Sequence, residues 1–152
     1  MSKKILITGG AGFIGSHLVD ELLNNGYEVK VLDSLCEQVH GSGRARPAYL
    51  DDSVELIRGD VRDPQMVQRA LTDVDAVYHY AAMVGVGQSM YEIKEYTDVN
   101  NLGTAVLLEA LAKRPVEKLI VASSMSIYGE GLYRTATGNV EAGVERLSLI
   151  HI

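Results

Sequence analysis

Cysteine is nearly missing from this chain: Cys36 is the only one among 152 residues. No internal disulfide can form, so the fold must hold without covalent staples, and a reducing, cytoplasmic compartment is the expected setting. No apolar run approaches the ~18–20 residues of a membrane span. After Met-Ser-Lys-Lys only Ile5-Leu6-Ile7 precede Thr8 and two glycines, which is too short for a signal-peptide core. Positive charge is in deficit, with 14 Lys and Arg against 20 Asp and Glu and a formal net charge of −6. That balance argues against nucleic acid or an anionic membrane as a main partner, while leaving open small anions held by backbone dipoles. Metal ligands are scattered: His17, His40, His79, His151 and Cys36 show no ligand spacing, so no metal site is expected. Repeats and low-complexity segments are also lacking.

What remains is ordinary globular material, 47% apolar and 22% charged, in a chain of about one domain's length at ~150 residues per domain. Short β-rich runs alternate with helical patterns. Residues 3–8 form a first apolar run. Residues 13–25 place Ile14, Leu18, Leu22 and Leu23 on one helical stripe ended by Gly26. Residues 28–33 alternate as a second strand, and 34–53 read as a long polar loop. Residues 54–58 give a third strand, followed by a helix start with Asp63 as N-cap and Pro64 at the first helical position. Strands at 75–80 and 118–123 flank a long helical segment over 91–113. This alternation implies βαβ units. The expected fold class is α/β, a Rossmann-type doubly wound parallel sheet of order 3-2-1-4-5 with its ligand crevice at the carboxyl ends of the strands. Residues 1–134 form the expected nucleotide-binding domain. Residues 135–152 read as an unpatterned tail, as though the chain were truncated before a substrate domain.

Several stretches carry chemistry. Gly9, Gly12 and Gly15 are spaced G-x-x-G-x-x-G where the first strand turns into the first helix. Glycines there permit a sharp turn, close approach of a pyrophosphate and close helix–strand packing, and the helix N-terminus aims free N–H groups at the phosphates. A plain tight turn is the bland alternative. A Walker-type phosphate loop fails, because Gly15 is followed by Ser16 and His17 rather than Lys-Ser/Thr. Asp33 closes the second strand 18 residues past Gly15. A carboxylate there can accept from a ribose diol and would repel a 2′-phosphate, favouring NAD over NADP, with a turn or capping aspartate as the alternative. In Gly59-Asp60-Val61, Asp60 can meet an adenine amine while Val61 covers the ring. In His79-Tyr80-Ala81-Ala82, the small residues leave room for ribose and nicotinamide. His79 itself reads as a hydrogen-bonded core residue in preference to a base. Asn100 and Gly103 share a helical face, where close backbone approach and a positioned amide compete with simple tolerance of the glycine. The serines of Ser123-Ser124-Met125-Ser126 are open between turn and site.

Together, TGGAGFIG, Asp33, GDV, HYAA, DVNNLGT and SSMSIYG resemble the extended short-chain dehydrogenase/reductase family. The match is closest to its NAD-dependent nucleotide-sugar epimerases and dehydratases, and HYAAMVGVGQSM resembles the UDP-glucose 4-epimerase-like branch. The resemblance spans Lys3 to about Arg134. It implies that Gly9, Gly12, Phe13, Ile14 and Gly15 hold the pyrophosphate, and Asp33 the adenosine ribose. Asp60 and Val61 would meet the adenine, and Tyr80, Ala81 and Ala82 the nicotinamide side, with Asn100 and Ser123 in support. By the same resemblance Ser124 is a catalytic residue that hydrogen-bonds the sugar hydroxyl, and Met83 and Val84 border the sugar. Some epimerases carry lysine where Val84 stands, so that contact is absent here.

The implied reaction is transient oxidation at the sugar C4 by NAD, with a Tyr-x-x-x-Lys pair supplying the base. None of the eight tyrosines is followed four residues later by lysine. The expectation is therefore an N-terminal portion, inactive alone. A non-catalytic NAD-binding module is the competing reading, and an NADP-linked reductase a weaker one that Asp33 opposes. The nucleotide-sugar partner would belong to the parent enzyme. Loss of a packing partner for the 91–113 helix is expected to leave Val106, Leu107, Ala110 or Leu111 partly exposed, a possible route to homo-oligomers.

Overall fold

A computed structural model describes residues 2–43, 45–124 and 133–141. The chain divides into two compact units, one running to Val121 and one from Ala122 onward.

In the first unit, β1 (Lys4–Thr8) leads into α1 (Phe13–Asn24) and β2 (Glu28–Asp33). A short α2 (Glu37–His40) precedes β3 (Glu55–Arg58) and α3 (Pro64–Ala70). Then come β4 (Ala76–His79), α4 (Val86–Ser89) and α5 (Ile93–Thr97), and a π-helical turn over Asp98–Leu102 runs directly into α6 (Gly103–Lys113). β5 (Lys118–Val121) ends the unit. The sheet order is β3-β2-β1-β4-β5 and every pairing is parallel, as the alternation of elements implied. Such a sheet needs cover on both faces, and the period of two along each strand supplies it. Leu6, Leu32, Ile57 and Val77 face α3 and α6, where they meet Val67, Ala70, Leu107, Ala110 and Leu111. Ile5, Ile7, Val29 and Val31 face the other way, onto Val19 and Leu22 of α1 and onto Leu35, Leu50 and Val54. Asp63 caps α3 as expected, its Oδ1 accepting from the N–H groups of Gln65 at 2.8 Å and Met66 at 3.4 Å.

Expectations for two helix faces are corrected in part. On α1 the buried residues are Gly15, Val19 and Leu22, whereas Ile14 points outward and Leu18 and Leu23 are only partly covered. Gly15 sets this register, because a Cβ on it would lie 2.4 Å from the Gly9 carbonyl oxygen. On α6, Leu107 is 1% exposed, and Ala110 and Leu111 are buried with it. The expected exposure on this face is therefore met only at Val106, which is partly covered, and not at Leu107, Ala110 or Leu111. Gly103 makes the closest approach to the sheet side, so the residues four, seven and eight further on follow it inward, while Leu102 and Leu108 turn outward. Residues 34–53 are likewise more than a polar loop, since α2 lies within them and Leu35 and Leu50 enter the core.

In the second unit, β6 (Tyr133–Arg134) pairs antiparallel with β7 (Val140–Glu141) around a turn with Gly138 at φ +85°. Thr135 N–H donates to the Asn139 carbonyl at 2.8 Å. A stretch expected to have no partner element therefore holds a hairpin, because a glycine in the left-handed region lets the chain reverse there. Among the described residues, no helix is long and apolar enough to cross a membrane.

Candidate dinucleotide-binding site

The carboxyl ends of β1, β2 and β4 meet at the glycine turn. Gly9 has φ +71°, and its N–H donates to the Leu32 carbonyl at 2.8 Å, tying the end of β1 to β2. A Cβ at Gly9 would sit 2.7 Å from the Ala81 nitrogen, so only glycine lets the chain after β4 come this close. Gly12 N–H meets the Gly9 carbonyl at 3.2 Å, and the Gly12 carbonyl receives Ser16 N–H at 2.9 Å to open α1. That first turn has neither a side-chain cap nor an acidic residue. Its N–H groups and the positive end of the helix dipole are thus left for an anion. Phe13 and Ile14 stand 80% and 68% exposed beside it. Gly10, not singled out from the sequence, is also required, since its Cβ would meet the Val31 side chain at 2.6 Å.

Asp33 faces this turn. Its Oδ2 accepts from Ala11 N–H at 3.0 Å and its Oδ1 from Leu35 N–H at 2.9 Å, with the carboxylate largely buried and His40 Nε2 3.8 Å away. Leu35 adopts φ +51°, an unusual conformation for a residue that is not glycine, and the Asp33 bond to its N–H helps hold it there. From the loop after α2, the Tyr49 hydroxyl donates to the Ala11 carbonyl at 2.6 Å. Burial and the Asp33 charge both push that phenol above its usual range. Neither Leu35 nor Tyr49 carries a local signal, because Tyr49 meets a residue 38 positions earlier.

On the β3 side, Asp60 is bound up with Arg62. Its Oδ1 accepts from the Arg62 N–H at 2.8 Å and Nε at 3.0 Å, and its Oδ2 from Nη2 at 2.7 Å, while Arg62 Nη1 reaches Glu95 at 3.0 Å. The guanidinium holds the Asp60 carboxyl below the ordinary carboxylate range. Val61, expected to cover a ring, is largely enclosed by protein. Its side chain is 5% exposed and packs in the core, where a Cβ on Gly103 would lie 2.7 Å from its Cγ2. Only its main chain remains for a base. The same geometry identifies Gly103 as a close-approach glycine.

On the β4 side, Thr8 Oγ1 accepts from the N–H groups of Tyr80 and Ala81, each at 3.2 Å, and contacts His79 Nδ1 at 2.7 Å. His79 Nε2 meets Thr104 Oγ1 at 2.9 Å. Burial drives the imidazole pKa down, so it stays neutral as a hydrogen-bonded core residue, as read from the sequence. Asn100 lies in the π turn, a distortion frequent at functional sites. Its Oδ1 accepts from Met83 N–H at 2.8 Å and its Nδ2 donates to the Met83 carbonyl at 3.1 Å. Asn100 thus fixes the chain just after Ala82, from which Val84 projects into solvent.

Gly9, Gly12, Phe13, Ile14, Gly15, Asp33, Tyr80, Ala81, Ala82, Met83 and Asn100 are therefore gathered around one sheet edge, with Asp60 and Val61 following β3. Ser123 and Ser124 are exposed residues of the second unit. The rest of the SSMSIYG stretch, Tyr128 included, lies outside the described residues.

Comparison with known proteins is extensive. The sequence profile of the NAD dependent epimerase/dehydratase family matches residues 5–143. A UDP-glucose 4-epimerase from Neisseria meningitidis serogroup C is 38% identical over 130 residues, covering 84% of this chain and 38% of that protein. A dTDP-L-rhamnose 4-epimerase from Burkholderia thailandensis is 37% identical over 142 residues, covering 91% of this chain and 39% of that one. The crystal structure of Thermus thermophilus UDP-glucose 4-epimerase in complex with NAD aligns with a TM-score of 0.74 at 38% identity, covering 91% of this chain and 44% of that structure. The chain spans less than half the length of these relatives.

Proposed function

The chain belongs to the NAD dependent epimerase/dehydratase family, and from that membership we propose that it is the NAD-binding portion of a nucleotide-sugar 4-epimerase. The observation that carries the reading is the junction of the glycine turn with Asp33, through the 3.0 Å bond from Ala11 N–H to the carboxylate. A dinucleotide needs a pocket of backbone N–H groups for its pyrophosphate beside an anionic acceptor for its ribose, and these two features meet at Ala11.

The residues fit the cofactor. Gly9 and Gly15 let the chain after β4 and helix α1 close tightly on the turn, and the start of α1 carries no competing acid. Gly9, Gly12, Phe13, Ile14 and Gly15 would hold the pyrophosphate, and Asp33 the adenosine ribose. Asp60 and the main chain of Val61 would meet the adenine. Tyr80, Ala81 and Ala82 would border the nicotinamide, with Ala82 and Met83 held in place by Asn100, and Ser123 in support. When bound, NAD supplies a reversible hydride acceptor for the sugar's C4. Ser124 would hydrogen-bond the sugar hydroxyl, and Met83 and Val84 would line its path. The substrate class is a nucleotide sugar, in keeping with relatives that act on UDP-glucose and dTDP-L-rhamnose.

This chain alone should not turn over. A base is needed to take the proton of the 4-hydroxyl, and no tyrosine here has the lysine four residues on that would lower its pKa. The second reading, an NAD-holding module without chemistry, is favoured by that same missing pair. Titration of NADH fluorescence against NADPH tests the shared core of both readings. NADH should bind at least tenfold more tightly, and equal affinities would remove the role given to Asp33. Appending the missing portion of a relative separates the two: gain of epimerase activity supports the first.

A further inference from the structure

The phosphate turn is gripped at a single residue from two sides. Ala11 is fully buried; its N–H is taken by Asp33 at 3.0 Å and its carbonyl by the Tyr49 hydroxyl at 2.6 Å. Tyr49 lies outside every helix and strand, yet the segment that carries it is well anchored. Leu50, its neighbour, is buried in the core, and Leu50 N–H closes a turn onto the Pro47 carbonyl at 3.1 Å. The Arg46 guanidinium bonds the carbonyls of Asp51 and Val54 just beyond. The phenol is thus delivered to the glycine turn on a braced loop.

Ala11 is an informative place for such a bond. The peptide joining Ala11 to Gly12 is planar and trans, so its carbonyl and the Gly12 N–H point in opposite directions. Fixing one fixes the other. Gly12 N–H is only loosely held, at 3.2 Å from the Gly9 carbonyl, and the Gly12 carbonyl makes the first bond of α1. Glycine on the far side of the peptide lowers the barrier to its rotation. A rotated Ala11 carbonyl would take the direction of the Gly12 N–H and face the Gly9 carbonyl oxygen, breaking the turn that precedes α1. A donor on that carbonyl prevents this.

We propose that Tyr49 is a positioning residue for the dinucleotide, its hydroxyl locking the Ala11–Gly12 peptide in the orientation that receives a pyrophosphate. The inference rests on the dinucleotide reading above and adds to it a residue that no motif supplies. Because burial and the Asp33 charge hold the phenol above its usual range, it remains a protonated donor at neutral pH. Tyr49 acts through the peptide, so its effect should appear only with ligands that carry phosphate.

The test is Tyr49→Phe in the 152-residue chain, titrated with NADH, ADP and adenosine. Loss of one hydrogen bond predicts NADH and ADP binding weakened roughly three- to tenfold, with adenosine unchanged. Should Tyr49→Phe melt too early to titrate, the three ligands are titrated below its melting point, where the NADH-to-adenosine affinity ratio should still fall by the same factor. An unchanged NADH affinity in Tyr49→Phe, or an equal loss on adenosine, overturns the proposal. A wild-type chain that binds neither NADH nor ADP overturns the dinucleotide reading with it, a result distinct from wild-type binding that the substitution leaves intact.

Discussion

Thr8 and His79 are joined across the β1–β4 pairing by a 2.7 Å bond between Thr8 Oγ1 and His79 Nδ1, and its direction is fixed by the groups around it. The Thr104 hydroxyl donates to the Asn100 carbonyl at 2.5 Å, so it must accept from His79 Nε2 at 2.9 Å. That leaves Nδ1 as the acceptor for Thr8, whose oxygen in turn accepts from the Tyr80 and Ala81 N–H groups. Only the neutral imidazole with its proton on Nε2 satisfies every partner. The chain of bonds ties the end of β1, the loop after β4 and the start of α6 into one unit.

A pH dependence follows from this. An unfolded histidine takes up a proton as pH falls through about 6.5. Burial holds the folded His79 below that value, so the folded chain binds fewer protons than the unfolded one in the window beneath it. Stability is therefore level above pH 7 and falls as pH drops below 6.5, until the folded imidazole also protonates. Urea midpoints measured at pH 7.5 and 5.5 check this. His79→Asn should lower the midpoint at pH 7.5 and flatten the difference, and an undiminished difference would assign the effect to another group.

Gly103→Ala tests the packing of α6 on Val61. Alanine gains about 1 kcal/mol of helix propensity, but its Cβ would lie 2.7 Å from Val61 Cγ2 in a buried setting. Overpacking of this kind costs about 1–3 kcal/mol, so the net effect should be a loss of roughly 1 kcal/mol. Adding Val61→Ala should reverse part of that loss, because the two side chains compete for one space. A double-mutant cycle in denaturant reads the coupling directly, and strict additivity would exclude the contact.

What was legible in the sequence was chiefly what is local. Gly9, Gly12 and Gly15 lie within one turn, Asp63 caps the helix that starts at the next residue, and alternation within each strand assigns its faces. Ile14 on α1 and the cover over Leu107, Ala110 and Leu111 on α6 were misjudged because helical spacing does not say how closely Gly15 and Gly103 let their helices approach. Both are placed by what a Cβ would strike, which only the partner strand or loop defines. The burial of Val61 was likewise not legible, since it packs beside Gly103, 42 positions away. Tyr49 and Leu35 are invisible to pattern: one acts through a long-range hydroxyl, the other through a left-handed backbone held by a neighbour's carboxylate.

Asn100 should act on the segment after β4 more than on the whole fold. Its amide bonds both the N–H and the carbonyl of Met83. Asn100→Ala leaves both partners unmet, at a cost of about 1–3 kcal/mol. Asn100→Asp keeps the acceptor but sets a carboxylate against the Met83 carbonyl. Hydrogen exchange at the Met83 amide should accelerate in both variants while amides of β1 and β2 stay protected. Uniform acceleration across the sheet would show a global role instead.

Asp33 separates two contributions that a single carboxylate makes. Its oxygens already receive the N–H groups of Ala11 and Leu35. In Asp33→Asn one oxygen becomes an NH₂ group, so one of those two donors must face another donor. The lost charge-assisted bond predicts destabilisation of about 1.5–3 kcal/mol. Removal of the charge should also end repulsion of a 2′-phosphate. NADH affinity should therefore fall by roughly tenfold or more, at 1.4 kcal/mol per decade, while NADPH affinity falls less or rises. The ratio of the two affinities, measured by fluorescence titration below the melting temperature of the variant, is the deciding quantity. It should move toward one in Asp33→Asn. A ratio that stays at its wild-type value while stability drops would leave Asp33 a brace for the Ala11 and Leu35 backbone and nothing more.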